Sequence, residues 1–262
     1  MRPTRSAFLL FVTFLISIPV AAQQPPQPDP QAVAILTQCL NAAGGAQAFA
    51  AVRDFSASGT ITYYWAGKEV QGNVKVRGRG TGQFRLDATL PEGVRSWVVS
   101  DGAGSLKEAS GNIGRIPYHN AVDFGSLTFP LSHILAALND PSMSISYLGV
   151  VTKSGREFHQ IRVRQTFSEG ADPGGILTKL NTKDFFIDAA SFQVSRTLDM
   201  IHPEKDSTQD HPHEMEFSDY RPVNGLFVPF SITEKIGGQR TWTIQLSAIS
   251  FNPGLTDADF KL

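Results

Sequence analysis

The best polar constellation for metal or acid–base chemistry is His202, Asp206, Asp210, His211, His213 and Glu214. Imidazole nitrogens and carboxylate oxygens suit zinc, and His211 and His213, two residues apart, would share one side of an extended backbone. These two are the weak metal-ligand candidates. The spacing matches no established zinc pattern, and Pro203 and Pro212 bracket the run, so an exposed polar loop is the plainer reading. His119, His133 and His159 are scattered without obvious partners, and His133 falls in a helical segment where it reads as packed or capped. No G-x-S-x-G, H-E-x-x-H or G-x-x-x-x-G-K-[ST] occurs, so the commonest nucleophilic, zinc and nucleotide chemistries lack their usual support. A Ser–His–Asp set would have to be assembled by the fold. The expectation is a protein that is not an enzyme, with no cofactor and no assigned metal. A hydrolase or metal protein using His202 to Glu214 stays as an alternative.

The elements that must position these groups begin with Glu214 to Lys235, two strands about Asn224-Gly225. Both turn residues tolerate the positive φ that a two-residue hairpin demands. Leu226, Val228, Phe230 and Ile232 then share one face, and Phe227 and Pro229 the other. A strand apolar on both faces must bury both.

Upstream, Ala32, Val33, Leu36, Cys39, Leu40 and Ala43 recur at helical spacing from Gln31 and stop at Gly44-Gly45, with a second short helix at Ala46 to Val52. Alternation predicts strands at Phe55–Trp65, Lys68–Gly78, Phe84–Leu90, Val94–Ser100 and a short Ser105–Glu108. Asn112 to Pro130 reads as loop and Leu131 to Leu138 as helix. Further strands follow at Met143–Thr152, Glu157–Phe167, Thr178–Ile187, Phe192–Ile201 and Arg240–Phe251. No helix separates successive strands at the spacing of a parallel sheet. The predicted class is therefore mainly β with covering helices (α+β): an incomplete, curled antiparallel β-barrel of about ten or eleven strands under a helical lid.

The 262 residues carry 23 basic and 24 acidic side chains, a net charge of -1, and no basic stretch suited to nucleic acid. Residues 1–22 read as a signal peptide: Arg2 and Arg5, an apolar run from Ala7 to Val20 too short to span a bilayer, and small residues to Ala22. Cleavage there leaves 21 basic residues against 24 acidic ones and a net charge of -3. Residues 23–30, QQPPQPDP, form a Pro/Gln-rich tether expected to be disordered, and 31–262 a single domain. The lone Cys39 cannot make an intrachain disulfide and reads as a buried small hydrophobe. Eighteen phenylalanines stand against three tryptophans and five tyrosines. A curled sheet has a concave face that its own side chains need not fill, so these aromatics are candidates both for core and for a cavity wall.

The order of features resembles a family. The pair F-S-A-S-G-T-I (Phe55–Ile61) and Q-G-N-V-K-V (Gln71–Val76), the strand Q-F-R-L-D (Gln83–Asp87), the V-V-S-D-G turn (Val98–Gly102) and the closing L-T-D-A-D-F (Leu255–Phe260) are similar to LolA-like periplasmic carriers of lipoproteins. The segment S-D-Y-R-P-V-N-G-L-F-V-P (Ser218–Pro229) is most similar to their divergent lipoprotein-sorting relatives. These short motifs run in order over most of the mature chain.

The resemblance implies a half-barrel that shields acyl chains of a lipid or lipoprotein in the periplasm, with an inner-membrane transporter and an outer-membrane acceptor as partners, and a monomer is expected. It makes Leu36, Leu40, Ile61, Tyr63, Val74, Phe84, Trp97, Leu135, Phe185, Phe217, Val228 and Phe230 the candidates for cavity or lid. In the carriers an arginine at the end of the second strand holds the lid. Arg77 and Arg79 flank that place here, with Gly78 nearest by count, and are the latch candidates. Each buried CH₂ yields about 0.8 kcal/mol, so some fifteen would give roughly 12 kcal/mol gross, and release then requires partial burial or a strained lid. The alternative on the same scaffold is a periplasmic sensor or adaptor that binds lipid or a protein partner.

Overall fold

The computed structural model describes residues 28–262 apart from 101, 117, 122–128, 169, 204, 205 and 207. The signal peptide and most of the tether lie outside the described residues. Helix α1 spans Pro30–Ala42, one residue earlier than expected, because Asp29 caps it. The Asp29 carboxylate accepts from the Gln31 and Ala32 amides at 2.8 and 3.3 Å, and Pro30 occupies a first-turn position where its missing N–H costs nothing. Asp29 also donates its own amide to Ile145 at 2.9 Å, so this end of the expected tether is held in place. Helix α2 is Ala46–Ala50.

Thirteen strands are described, where ten or eleven were expected: β1 Asp54–Trp65, β2 Lys68–Arg79, β3 Gln83–Leu90, β4 Gly93–Ser100, β5 Ala103–Lys107, β6 Ile113–Ile116, β7 Met143–Lys153, β8 Arg156–Gln165, β9 Thr182–Asp188, β10 Val194–Ile201, β11 His211–Val223, β12 Leu226–Ile236 and β13 Gln239–Phe251. Strand β6 and helix α3 (Tyr118–Ala121) form in the segment read as loop, where glycine and polar residues dilute the alternation that marks a strand. Helix α4 is Pro130–Asn139. Helix α5 (Ile176–Leu180) takes the start of a predicted strand, because Asp172 accepts from the Leu177 and Thr178 amides at 2.8 and 2.9 Å and fixes a turn there.

All thirteen strands form one antiparallel sheet in the order β6-β5-β4-β3-β2-β1-β13-β12-β11-β10-β9-β8-β7, curled but not closed. A sheet beyond about ten strands is expected to curl or split. The bend is built into β1, whose register with β13 shifts between Ser58 and Gly59. A Cβ at Gly59 would lie 2.1 Å from the Gln245 carbonyl oxygen, so only glycine permits that approach. The Asn224-Gly225 turn forms as predicted, with φ of 50° and 84°, and Val223 pairs with Leu226. Leu226, Val228, Phe230 and Ile232 are buried, Pro229 is buried too, and Phe227 stays 39% exposed. The hairpin docks on the end of α1, Phe227 donating its amide to the Ala43 carbonyl at 2.9 Å.

The core lies between the concave face and the helices. Ala32, Ile35, Leu36, Cys39 and Leu40 of α1 and Leu131, Ile134 and Ala137 of α4 are buried, and α1 and α4 pack on each other and on β7. Burial in this cluster raises the Cys39 thiol to about 12, as expected of a structural cysteine. No helix among the described residues is long and apolar enough to cross a membrane.

Replacing Gly59 by Ala forces β1 away from β13. Urea denaturation should show a loss of at least about 2 kcal/mol at unchanged slope, and an unaltered midpoint would remove Gly59 as the bend.

Candidate functional site

Strand alternation places a charged residue on the otherwise apolar inner face of several adjacent strands. Lys183 shares a face with Phe185 and Ile187, Asp199 with Thr197, His213 with Met215, and Glu234 with Ile232. Neighbouring strands bring the four together. Lys183 Nζ lies 2.8 Å from Asp199 Oδ2, His213 Nδ1 is 2.6 Å from Asp199 Oδ1, and His213 Nε2 is 3.2 Å from Glu234 Oε1. Thr241 of β13 closes the row by donating its hydroxyl to Glu234. None of the four charged residues is more than 6% exposed.

Two cations and two anions balance, which is the condition under which such burial is tolerated. Burial opposes the charged form of His213, but the Asp199 and Glu234 carboxylates prevail and raise its pKa to about 10. Asp199 is desolvated as well, yet Lys183 and His213 hold it well below the ordinary carboxylate range. His133 on α4 packs against Phe185 with ring centroids 5.7 Å apart. Although it is only partly buried, desolvation and then the Lys183 ammonium lower its pKa to about 3.

His213 and Glu234 form one wall of a cavity of about 670 Å³. It lies at the end of the curl where β1 turns into β2 and β12 into β13. Its walls are mainly aromatic and aliphatic: Tyr63, Trp97 and Trp242, with Val70, Leu90, Ile116, Ile201 and Ile236. Trp97 and Trp242 meet edge to face at 6.4 Å. Arg95 lies over the Tyr63 and Trp97 rings at 5.3 and 5.5 Å and pairs with Glu108 at 3.2 Å. At the mouth Trp65 is 78% exposed. Asn120 of α3 borders the cavity and clamps β10, donating to the His202 carbonyl at 2.8 Å and accepting the His202 amide at 3.1 Å.

Of the twelve cavity or lid candidates, Tyr63 and Trp97 line this space. Leu36, Leu40, Ile61, Val74, Phe84, Phe185, Phe217, Val228 and Phe230 are buried in the core, and Leu135 is partly buried against it. Phe217 also borders a smaller pocket of about 280 Å³. No residue of α1, α2 or α4 lines the larger cavity. Those helices fill the other part of the concave face.

The two latch candidates engage the C-terminal segment. Arg77 bonds Asp87 at 3.1 Å and Asp259 at 3.5 Å, while Arg79 pairs with Asp257 and donates to the Leu255 carbonyl at 3.3 Å. Both hold the C-terminal 3-10 helix, Asp257–Phe260, where the L-T-D-A-D-F run supplies their acceptors.

The polar run likewise does not behave as one exposed loop. His202 and His213 are buried, His202 Nε2 meets Asp210 at 2.8 Å, and Glu214 pairs with Arg196 at 2.7 Å. His211 is exposed. Among the described residues no group of three His, Cys, Asp or Glu is arranged to hold a metal. Sequence reasoning missed Lys183, Asp199, Glu234, Arg95 and Trp242. The signal was a charge at an inward position of a period-two strand.

No protein-family model matches the chain, and no curated protein matches it. Solved structures do. A domain from Vibrio parahaemolyticus described as that of an outer membrane lipoprotein-sorting protein is 12% identical with a TM-score of 0.53, over 87% of this chain and 95% of the other. A LolA superfamily protein from Nitrosomonas europaea is 10% identical with a TM-score of 0.54, over 86% and 96%. The chain has a LolA-like fold. A DUF1329 family protein from Desulfovibrio piger, 12% identical with a TM-score of 0.53 over 89% and 97%, shares it. Within this LolA-like fold the ladder from Lys183 to Glu234 and the aromatic cavity beside it are the features that distinguish one end of the barrel from the other.

The ladder ties stability to pH. The folded state holds the His213 proton up to about 10, whereas an unfolded histidine releases it near 6.5, so the contribution is complete below 6.5 and is lost as pH rises through 10. Unfolding free energies measured from pH 7 to 10.5 should fall by at most about 1.4 kcal/mol per pH unit through this group in the native protein. A His213→Gln variant should show a shallower decline, and equal slopes would mean that His213 is not held charged.

Proposed function

We propose that this is an exported carrier that shields an acyl chain of a lipid or lipoprotein in the aromatic cavity at the open end of its half-barrel. The observation that carries the reading is the cavity itself. Its volume of about 670 Å³ falls in the roughly 300–1,000 Å³ range of small-molecule sites, and its walls have the composition typical of such sites, mostly apolar with a few placed polar groups. The LolA-like fold and the likeness to a lipoprotein-sorting domain support the class of cargo. The signal-like Met1–Ala22 supports export, and with it a periplasmic passage from an inner-membrane transporter to an outer-membrane acceptor.

A binding role suits the chemistry of the wall better than catalysis. Both ring nitrogens of His213 are engaged by carboxylates, so the imidazole has no lone pair with which to act as a base. The mouth is open to solvent, and a chain that is only partly buried gains less than full transfer would give, which keeps its release to an acceptor within reach without a nucleotide.

Val70 is half-buried on the cavity wall at the β1–β2 end, so Val70→Trp fills the space without opening the core. Native mass spectrometry of detergent-free protein from its host should show co-purified lipid on the native chain and about tenfold less on the variant. Equal lipid on both moves the site elsewhere, and no lipid on either removes the carrier reading.

A further inference from the structure

Most polar groups on the cavity wall have partners: Arg95 pairs with Glu108 at 3.2 Å, His213 lies between Asp199 and Glu234 at 2.6 and 3.2 Å, and Asn120 and Thr241 bond His202 and Glu234. Two uncharged donors stand apart. Trp242 is 1% exposed and lines the cavity, yet its indole N–H has no acceptor. Tyr63, 8% exposed and on the same wall, has no acceptor for its hydroxyl. Its polar neighbour is the Arg95 guanidinium, which can only donate. Burial also pushes the Tyr63 phenol well above its ordinary range, so it stays a neutral donor. A buried donor without a partner is costly, and an indole can be satisfied only by an acceptor.

Resting on the acyl-binding reading above, we infer that the cavity selects amphiphiles whose polar end is an uncharged acceptor, an ester or amide carbonyl, rather than a free carboxylate or phosphate. A carbonyl oxygen has two lone pairs, enough for the protons of Trp242 and Tyr63, which oppose one another on β13 and β1. An anionic headgroup at that spot would lose its hydration beside Arg95 and His213, whose charges Glu108, Asp199 and Glu234 already engage, and Glu92 on the same wall would repel it. A plain hydrocarbon would leave both donors unmet. The preference therefore comes from the two polar hydrogens and not from the rings that carry them, and it is separable from the gain of burying the chain.

The test uses the full mature chain at pH 7.5 and displacement of a bound fluorescent naphthylamine by three ligands of equal chain length: a fatty acid methyl ester, the free fatty acid and the alkane. The ester should bind about tenfold more tightly than either of the others, the scale of one net hydrogen bond. Trp242→Phe and Tyr63→Phe keep the rings and remove the donors. Each should bring the ester to within about threefold of the alkane while leaving the alkane unchanged. If Trp242→Phe fails to fold, Tyr63→Phe, which removes a single oxygen, still decides the matter. A free acid that binds as tightly as the ester, or variants that keep the ester preference, overturn the inference and leave the carrier intact. If none of the three ligands displaces the probe, the acyl-binding reading falls and takes this inference with it.

Discussion

A single sheet of thirteen strands with one apolar face has more surface to cover than two medium helices provide, and this mismatch governs the molecule. The sheet curls to cover part of the deficit, with Gly59 allowing β1 to press on β13. Helices α1 and α4 fill one end of the hollow with Leu36, Leu40, Leu131 and Ile134. At the other end nothing of those helices reaches, and the inner face is left to line a cavity.

The row of charges sits where these two regimes meet. Lys183 and Asp199 lie on the strands that α4 covers, where His133 packs on Phe185 at 5.7 Å, while His213 and Glu234 border the cavity. Such a row contributes little net stability, because desolvation offsets most of the attraction, but removing any one member leaves a buried charge uncompensated. Its value is positional. It fixes which residues of β9 to β12 oppose one another, since a one-residue slip would turn every one of these charges to the outside.

The C-terminal segment serves the opposite face in the same manner. Arg77, Arg79 and Arg85 hold Asp257, Asp259 and the Lys261 carbonyl, and Phe260 is buried beneath them with Arg79 over its ring at 5.7 Å. The family resemblance made Arg77 and Arg79, near the end of the second strand, candidates for holding a helical lid. In this chain those arginines face the aspartates of the tail. Alternation tells which face a side chain takes but not what has been laid against that face, so the tail as partner had to come from the tertiary structure.

Much of the architecture was legible along the chain. The Asn224-Gly225 turn, the α1 stripe with its Gly-Gly stop, most strand positions and the all-antiparallel arrangement follow from local rules that depend on near neighbours: positive φ, period two and period 3.6. Strand β6 and helix α5 were not legible, since one is short and glycine-diluted and the other is fixed by Asp172, a residue outside it. What only the tertiary structure decided is which apolar residues are core and which are wall. Phe185 and Trp97 look alike in a strand pattern. One lies under α4 and the other faces open space, and that difference is set by where the helices stop along the curl, a distance that no local spacing records.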